Sequence, residues 1–372
     1  MNNSFRLMYI RDIPVEIHIS WLLIFFLFSI SLAQGYFPLM VEGLSSQVYW
    51  ATGIITTLLV FASVLTHELG HSFVALSENI PIKKITLFIF GGVAQMEEEP
   101  TSAKTELKVT AAGPLTSFAL AVITGGLYYL ALPPGQILSE AIFFVARVNL
   151  IMAVFNLVPA FPLDGGRLFR SIIWYFGKNM LKATRIAVTV GSMLSFFAMG
   201  FGFVIIFFQG NLFGIWLIFL GWMIYQAGQS SYSQLVFKDT FSGVKVSKIM
   251  STNLQTVSPD ATLEELVDYF LRYKYGAFPV VYGSTTHGIV TLQEMKEVPR
   301  EKWPYTTVAH ILTPLKETMV INPDSDAAEV MMKMANQNIG RALVMEDDGE
   351  LVGLLSRTDM MRLIQMHMVL GE

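Results

Sequence analysis

Two histidines and a glutamate lie within five positions of an apolar stretch, in the sequence VLTHELGHSF. On a helix, positions i and i+4 share a face, so His67 and His71 can reach one metal ion. Glu68 flanks them and can take a proton from a water molecule on that metal. Ionisable groups at membrane depth cost about 2.5–3.5 kcal/mol each on insertion scales. This cost favours a functional metal site over histidines that merely satisfy hydrogen bonds in a core.

Two histidines leave a zinc site short of a third protein ligand. The segment FNLVPAFPLDGGR supplies a candidate, because Asp164 ends an apolar stretch on the same side of the membrane as the histidines. Aspartate before Gly-Gly is commonly a turn residue, but the incomplete ligand set favours coordination. Asn156 could hydrogen-bond the developing oxyanion of a scissile carbonyl or a neighbouring helix. Asn149, two turns earlier on the same face, is assigned a structural role.

The composition divides the chain into a membrane half and a soluble half. The 372 residues are 53% hydrophobic and 15% charged, whereas soluble domains have about 25% charged residues. Long apolar runs stop near Tyr232, and mixed-charge sequence begins at Lys238. With about 20 apolar residues per span, we predict about six spans, the fourth with a broken continuation at 168–174. The predicted spans are Ile19–Phe37, Trp50–Leu76, Leu107–Leu132, Ala141–Val158, Ile186–Phe208 and Leu212–Ala227.

Among the connections between the predicted spans, every second one contains lysine or arginine and the others contain neither. By the positive-inside rule, both termini of this multi-pass cell-membrane protein should face the cytoplasm. The N-terminal segment shows no small-residue cleavage site after a short apolar core, so the first span is expected to be retained. The net charge of −4 and the lack of a basic stripe predict no nucleic-acid partner. The connecting cations are Arg6, Arg11, Lys83, Lys84, Lys104, Arg167, Arg170, Lys178 and Lys182.

Two glycine-containing segments lie between and within the spans. β-Branched and aromatic residues flank Gly91-Gly92 and predict a short β-hairpin between the second and third spans. Its edge could receive an unwound substrate as an added strand, or the hairpin could plug the mouth of the site. Gly113-Pro114, in TAAGPLTSF, indicates helix packing or a kink.

The soluble half contains an internal repeat that begins at Val244. Pro259 corresponds to Pro323, and Gly276 corresponds to Gly340. Each copy has a proline-containing turn, an amphipathic helix, a β-rich run, a glycine and a final helix. The offset of 64 residues between Pro259 and Pro323 is longer than common solenoid repeats. The two copies therefore indicate a pseudo-twofold pair and not a solenoid.

The motifs HELGH, GGVAQM, AAGP and NLVPAFPLDGG occur in this order and resemble the site-2 proteases. These are intramembrane zinc metalloproteases that cut transmembrane segments of other proteins. The resemblance covers the membrane half, residues 1–235. It implies that His67, His71 and Asp164 bind one catalytic Zn²⁺. It further implies that Glu68 is the catalytic base and that Asn156 orients the substrate or stabilises the transition state. The partners would be a transmembrane protein substrate and the lipid bilayer.

The repeat resembles a CBS-domain pair, with repeats at 244–300 and 305–368. In other proteins such pairs bind adenine nucleotides through a Thr/Ser-x-x-Asp stretch. Ser356 and Asp359 match this stretch in the second copy. In the first copy Thr291 matches, but Glu294 replaces the aspartate. Because the same pattern is a helix-capping box, ATP or AMP binding and a purely dimerising module both stay open. The resemblance also implies a homodimer formed through the CBS pair.

The predicted fold is a polytopic α-helical membrane domain with a short β-hairpin, followed by an α/β tandem CBS module. The predicted function is regulated intramembrane proteolysis by a zinc endopeptidase, which an adenine nucleotide could gate. A CBS-regulated metal or ion transporter is the alternative, but the membrane half shows no repeat of the kind common in transporters. A transporter also does not need a glutamate beside a metal-binding histidine. A non-proteolytic scaffold is the third hypothesis, and the intact HELGH motif argues against it.

Overall fold

The computed structural model describes residues 4–131, 133, 135–241 and 243–359. The chain divides into two compact units, Met1–Tyr232 and Ser233–Glu372. The predicted second CBS repeat, 305–368, ends outside the described residues, at positions 360–368.

Long apolar helices form the first unit. The longest has 32 residues, which corresponds to about 48 Å and exceeds the hydrocarbon core of about 30 Å. The helices are α1 (Ser20–Ser31), α2 (Phe37–Met40), α3 (Ser46–Ser77), α4 (Ala103–Ala131), α5 (Ile137–Asn156), α6 (Asp164–Gly177), α7 (Met180–Gln209) and α8 (Phe213–Phe241), and the first unit ends within α8, at Tyr232. A π-helical turn, Leu32–Tyr36, joins α1 to α2.

Five helical segments in the described residues are long and apolar enough to cross a membrane. The sixth predicted span, 212–227, lies in α8, where glutamine and serine follow the apolar first half. The predicted continuation of the fourth span is a separate helix, α6, because a proline-rich segment ends α5 at Asn156. The five segments are Ser20–Met40, Ser46–Ser77, Ala103–Leu130, Ile137–Asn156 and Met180–Gln209.

A four-stranded sheet accompanies these helices, in the order β1-β2-β3-β4. The predicted hairpin is present as the last two strands. The first two strands come from the N-terminal segment and were not predicted, because charges interrupt its apolar pattern. β2 pairs with β3 in parallel, and the other pairs are antiparallel. The strands are β1 (Ser4–Ile10), β2 (Ile13–His18), β3 (Ile82–Phe88) and β4 (Gly91–Met96).

One apolar cluster packs the sheet against the helix that carries HELGH. Ile17 of β2 and Leu87 of β3 are buried with Trp21 of α1. Phe61 and Leu65 of α3 pack on this cluster. The burial fixes β3 and β4 beside the C-terminal part of α3.

The second unit contains two three-stranded sheets, ordered β5-β6-β7 and β10-β9-β8. Ala277 and Ile289 of the first sheet share a buried cluster with Leu343 and Met345 of the second. The two predicted repeats therefore pack together through their sheets. The elements are α9 (Leu263–Tyr273), β5 (Ala277–Tyr282), β6 (Thr285–Thr291), α10 (Leu292–Lys296), β7 (Thr313–Pro314), β8 (Val320–Ile321), α11 (Ala327–Asn336), β9 (Arg341–Met345) and β10 (Leu351–Ser356).

Candidate metal centre

Three side chains from two helices converge in the first unit. Nε2 of His67 and Nε2 of His71 lie 3.2 Å apart, and each lies 3.2 Å from Oδ2 of Asp164. Ligands at about 2.0 Å from a tetrahedral zinc ion are separated by about 3.3 Å. The histidines are buried, and the Asp164 side chain is 14% exposed. The three atoms are therefore spaced to fit one zinc ion.

Helix α4 orients both imidazole rings. Nδ1 of His71 lies 2.8 Å from the carbonyl oxygen of Val109, and Nδ1 of His67 lies 2.8 Å from Oγ of Ser117. Because a carbonyl oxygen only accepts, Nδ1 of His71 carries the proton and donates it. Its Nε2 then keeps a lone pair for a metal, as is usual for metal-binding histidines.

Gly113 brings α4 into contact with the histidines. A Cβ atom at this position would lie 2.1 Å from Nε2 of His71 and 2.7 Å from Nε2 of His67. No real Cβ makes contacts this short, so a side chain there would occupy the space between the two nitrogen atoms. The predicted helix packing at Gly113-Pro114 thus occurs directly on the candidate ligands.

The hairpin of β3 and β4 holds the carboxylate of Glu68. The backbone N–H of Ala94 donates to Oε2 of Glu68 over 3.1 Å. A Cβ atom at Gly92 would lie 2.6 Å from Cγ of Glu68, so the strand lies directly on this side chain. Within the part of the chain that the structure describes, Oε1 accepts no hydrogen bond from the protein. One oxygen is therefore held, and the other is free to exchange a proton.

Asn156 is the last residue of α5 and is half-buried. Its side chain makes no hydrogen bond to the described residues. The next residue, Leu157, is packed against the start of α6, since a Cβ atom at Gly165 would lie 2.3 Å from the Leu157 carbonyl oxygen. The segment after Asn156 therefore contacts the residue that follows Asp164.

Asn149 links α5 to α3. Its Nδ2 donates to Oγ of Ser63 and to the carbonyl oxygen of Val145, both over 2.9 Å. Ser63 lies one turn before His67 on α3. This buried contact fixes α5 beside the turn that carries the first candidate ligand.

The residues matched to a nucleotide site line two cavities in the second unit. Ser356 and Asp359 line a cavity of about 410 Å³ together with Lys274 and Arg341. Thr291 lines a second cavity, of about 370 Å³, with Glu294 and again Arg341. Asp359 accepts a hydrogen bond from Ser356 over 2.5 Å, and Glu294 accepts one from the backbone N–H of Thr291 over 2.9 Å. Both pairs thus have capping contacts and also face a cavity.

The orienting contacts around the histidines were not predicted from the sequence. Ser117 follows Gly113 by four positions and so shares its helix face, which is the signal that could have identified it. The carbonyl group of Val109 and the N–H group of Ala94 leave no such signal, because every residue except proline carries both backbone groups.

Each half of the chain matches a known protein family. Residues 55–135 and 131–199 match the model of Peptidase family M50, and residues 246–301 and 308–366 match the CBS domain. The protein sll0528 of Synechocystis sp. is 32% identical over 376 residues, which cover 98% of this chain and 96% of its own. The chain belongs to peptidase family M50. Because five segments of the described residues are long and apolar enough to cross a membrane, this M50 member is a multi-pass membrane protein of the site-2 protease family with a CBS-domain pair.

Two further matches come from Methanocaldococcus jannaschii. Zinc metalloprotease MJ0392 is 31% identical over 371 residues, which cover 97% of this chain and 96% of its own. The solved structure of a site-2 protease is 33% identical, with a TM-score of 0.42, and the match covers 61% of this chain and 94% of that one.

Proposed function

We propose that the chain is an intramembrane zinc endopeptidase that hydrolyses peptide bonds in or near transmembrane segments of other membrane proteins. The observation that carries the proposal is the 3.2 Å spacing of the His67, His71 and Asp164 ligand atoms. In this proposal the three side chains hold one catalytic Zn²⁺. The bound metal would polarise the scissile carbonyl and lower the pKa of a water molecule.

Glu68 is the catalytic base in this proposal. Its carboxylate takes a proton from the attacking water and passes it to the leaving amine. The hydrogen bond from Ala94 to Oε2 leaves Oε1 to face the reacting water. Because β4 supplies this hydrogen bond, the hairpin positions the base as well as bordering the site.

A substrate helix must unwind before cleavage, since its own hydrogen bonds and side chains shield the peptide bond. β4 is an edge strand of the sheet, and its Ala94 contacts the proposed base. A substrate segment that pairs with β4 as an added strand would therefore lie beside Glu68. Asn156, which has no partner among the described residues, is proposed to donate its side-chain N–H to the carbonyl oxygen as negative charge develops there.

We propose that residues 1–235 form the protease domain, that both termini face the cytoplasm, and that residues 244–300 and 305–368 are the two CBS repeats. The distribution of lysine and arginine between the spans supports this orientation. Regulated intramembrane proteolysis is the process that such an arrangement would serve, with the soluble unit exposed to cytoplasmic signals.

An adenine nucleotide, ATP or AMP, is proposed to bind the cavity lined by Ser356 and Asp359. This cavity has two cationic side chains, Lys274 and Arg341, that could meet phosphate groups. Burial lowers the pKa of the Arg341 guanidinium, and a bound phosphate would offset that loss of hydration.

The second cavity is less suited to a phosphate. Burial raises the pKa of Glu294, but hydrogen bonds from Thr291 and Thr313 outweigh it and hold the pKa below its usual value. The ionised Glu294 and Glu317 therefore offset the positive charge of Arg341 and Arg357 in this cavity. In the first cavity, by contrast, Asp359 is the one carboxylate among the described residues that faces Lys274 and Arg341. Thr291 is accordingly assigned mainly to capping α10.

A homodimer formed through the CBS pair is part of the proposal and rests on the resemblance alone. Size-exclusion chromatography with multi-angle light scattering, which separates the protein mass from that of the bound detergent, tests it directly. A particle of twice the chain mass is expected, and a monomer at micromolar concentration would contradict it.

The test of the proposed activity uses tagged single-span substrates in proteoliposomes. Chelation of the metal should abolish cleavage, and added Zn²⁺ should restore it. Mass spectrometry of the products should place the cut in or near the span. Zinc-loaded protein that takes up zinc into vesicles but cuts no substrate would favour the transporter alternative.

A further inference from the structure

A buried ion pair joins two helices of the membrane unit. Glu106 of α4 is 0% exposed, and Arg170 of α6 is 6% exposed. Nε of Arg170 donates to Oε1 of Glu106 over 3.0 Å and lies 3.2 Å from Oε2, and a second guanidinium nitrogen also donates to Oε1. Arg170 was predicted in a connection between spans, and Glu106 directly precedes the predicted third span, yet both are buried. Removing two charges from water is costly, so stability alone does not explain why this pair is buried.

The same face of α4 contacts the residues that hold the candidate metal. Positions 106, 109, 113 and 117 are three or four residues apart and therefore share one helix face. Val109 and Ser117 orient the two histidines, and Gly113 lies against both rings. Glu106 extends this face by one turn toward α6. Helix α4 thus touches His67 and His71 directly and reaches the helix of Asp164 through Arg170.

Arg170 fixes α6 in several directions at once. Its guanidinium carbon lies 4.8 Å from the centre of the Phe161 ring, in the segment just before Asp164. Its Nη1 lies 3.5 Å from Oγ1 of Thr184 on α7. Nε of Arg167 lies 3.6 Å from Oε1 of Glu106, one turn nearer the start of the helix. These contacts restrict both rotation and sliding of α6, whose first residue is Asp164.

We infer that Glu106 and Arg170 are positioning residues that hold Oδ2 of Asp164 at ligand distance from the two histidines. The planar guanidinium suits this task, because it binds a carboxylate through two nitrogens in a fixed geometry. The pair touches neither substrate nor metal and acts only through α6. The inference rests on the proposed zinc site and does not depend on proteolysis.

The test compares zinc affinity in detergent-solubilised full-length protein, by competition with a chromophoric chelator. The variants are Glu106→Gln, Arg170→Lys and the double variant Glu106→Leu/Arg170→Met. Glu16→Gln is the matched control, because Glu16 forms an ion pair with Lys84 on the sheet, away from α6. The visible spectrum of the Co²⁺-substituted protein reports the ligand geometry independently of affinity.

The double variant separates positioning from folding. Glu106→Gln alone leaves a buried arginine without its charged partner, which destabilises a fold strongly, whereas replacement of both residues by apolar side chains of similar volume can be nearly neutral. The double variant should therefore regain the thermal stability of the metal-free wild type, but its zinc affinity should stay lower by about tenfold or more. The zinc affinity of Arg170→Lys should lie between those of the wild type and the double variant, with an altered Co²⁺ spectrum. Glu16→Gln should match the wild type in zinc affinity and in its Co²⁺ spectrum.

The inference is overturned if the folded double variant or Arg170→Lys binds zinc within about twofold of the wild type with an unchanged Co²⁺ spectrum. Failure of the proposed zinc site gives a different result, since the wild type itself would then bind no zinc. A stability loss at equal zinc affinity would assign the pair to folding only and would also overturn the inference.

Discussion

Nε2 of His67 and Oδ2 of Asp164 lie 3.2 Å apart although the two residues are 97 positions apart in the sequence. The first comes from the last third of α3, and the second begins α6. No local pattern fixes such a distance, so the intervening chain must set it. Helix α4, which lies between them in sequence, contacts the histidines and binds the helix of Asp164.

Substitution of Asp164 by asparagine tests its proposed role as a zinc ligand. The side chain keeps its size but loses the anionic oxygen, so zinc affinity should fall by more than about 100-fold. Chelator competition measures it, with Asp12→Asn as the control at an exposed position of positive φ, which asparagine tolerates. Equal affinity in Asp164→Asn and the wild type would remove Asp164 from the site.

Gly113→Ala should disrupt the metal site by steric contact alone. The new methyl group would meet Nε2 of His71 at 2.1 Å, so the rings or α4 must shift. We expect zinc affinity to fall by about 10- to 100-fold, as measured by the same competition. Gly126→Ala is the matched control on the same helix, because a Cβ there meets nothing within 4 Å. Equal zinc affinity of the two variants would contradict this prediction, because it would show that α4 can shift without disturbing the metal site.

The sequence predicts the parts of the site that depend on local spacing. HELGH on an apolar helix predicts that His67 and His71 share a face, and the structure has them on one turn of α3. The hairpin around Gly91-Gly92 is likewise visible in the alternation of residue types. Asp164 is a weaker prediction from residues alone, because it rests on an incomplete ligand set.

Contacts between distant helices are not visible in the sequence. Glu106 and Arg170 are ordinary charged residues near predicted span ends, and only the packing of α4 against α6 makes them a buried pair. β1 and β2 were missed for a related reason, since their charges mask the strand pattern until β3 covers one face. Tertiary burial therefore decides both features.

Gly92→Ala should impair catalysis without removing the metal. Its methyl group would lie 2.6 Å from Cγ of Glu68 and would displace the proposed base. We expect kcat to fall by about tenfold, or about 1.4 kcal/mol in the barrier, while zinc content stays at the wild-type level. Steady-state cleavage and metal analysis on one preparation measure both quantities. Loss of zinc together with activity would mean that the strand supports the ligands and not the base.

Nucleotide binding is tested by Asp359→Ala against Thr291→Ala. The first removes a carboxylate that would accept hydrogen bonds from the ribose hydroxyls, in the cavity where Lys274 and Arg341 would meet the phosphates. AMP or ATP affinity should therefore fall by about 10- to 100-fold. The second alters the other cavity and should leave affinity unchanged. Isothermal titration calorimetry on the full chain measures both. A loss of nucleotide affinity in Thr291→Ala but not in Asp359→Ala would assign the nucleotide to the cavity lined by Glu294.

Cleavage by Glu68→Gln is the most direct test of the central claim. Wild type and variant are incubated with the same tagged single-span substrate, and zinc is quantified in each. The glutamine keeps the shape of the side chain but cannot take a proton, so cleavage should fall by about 10²- to 10⁴-fold with one zinc ion still bound. Equal cleavage by the two zinc-loaded proteins would contradict the assignment of Glu68 as the base of an intramembrane metalloprotease.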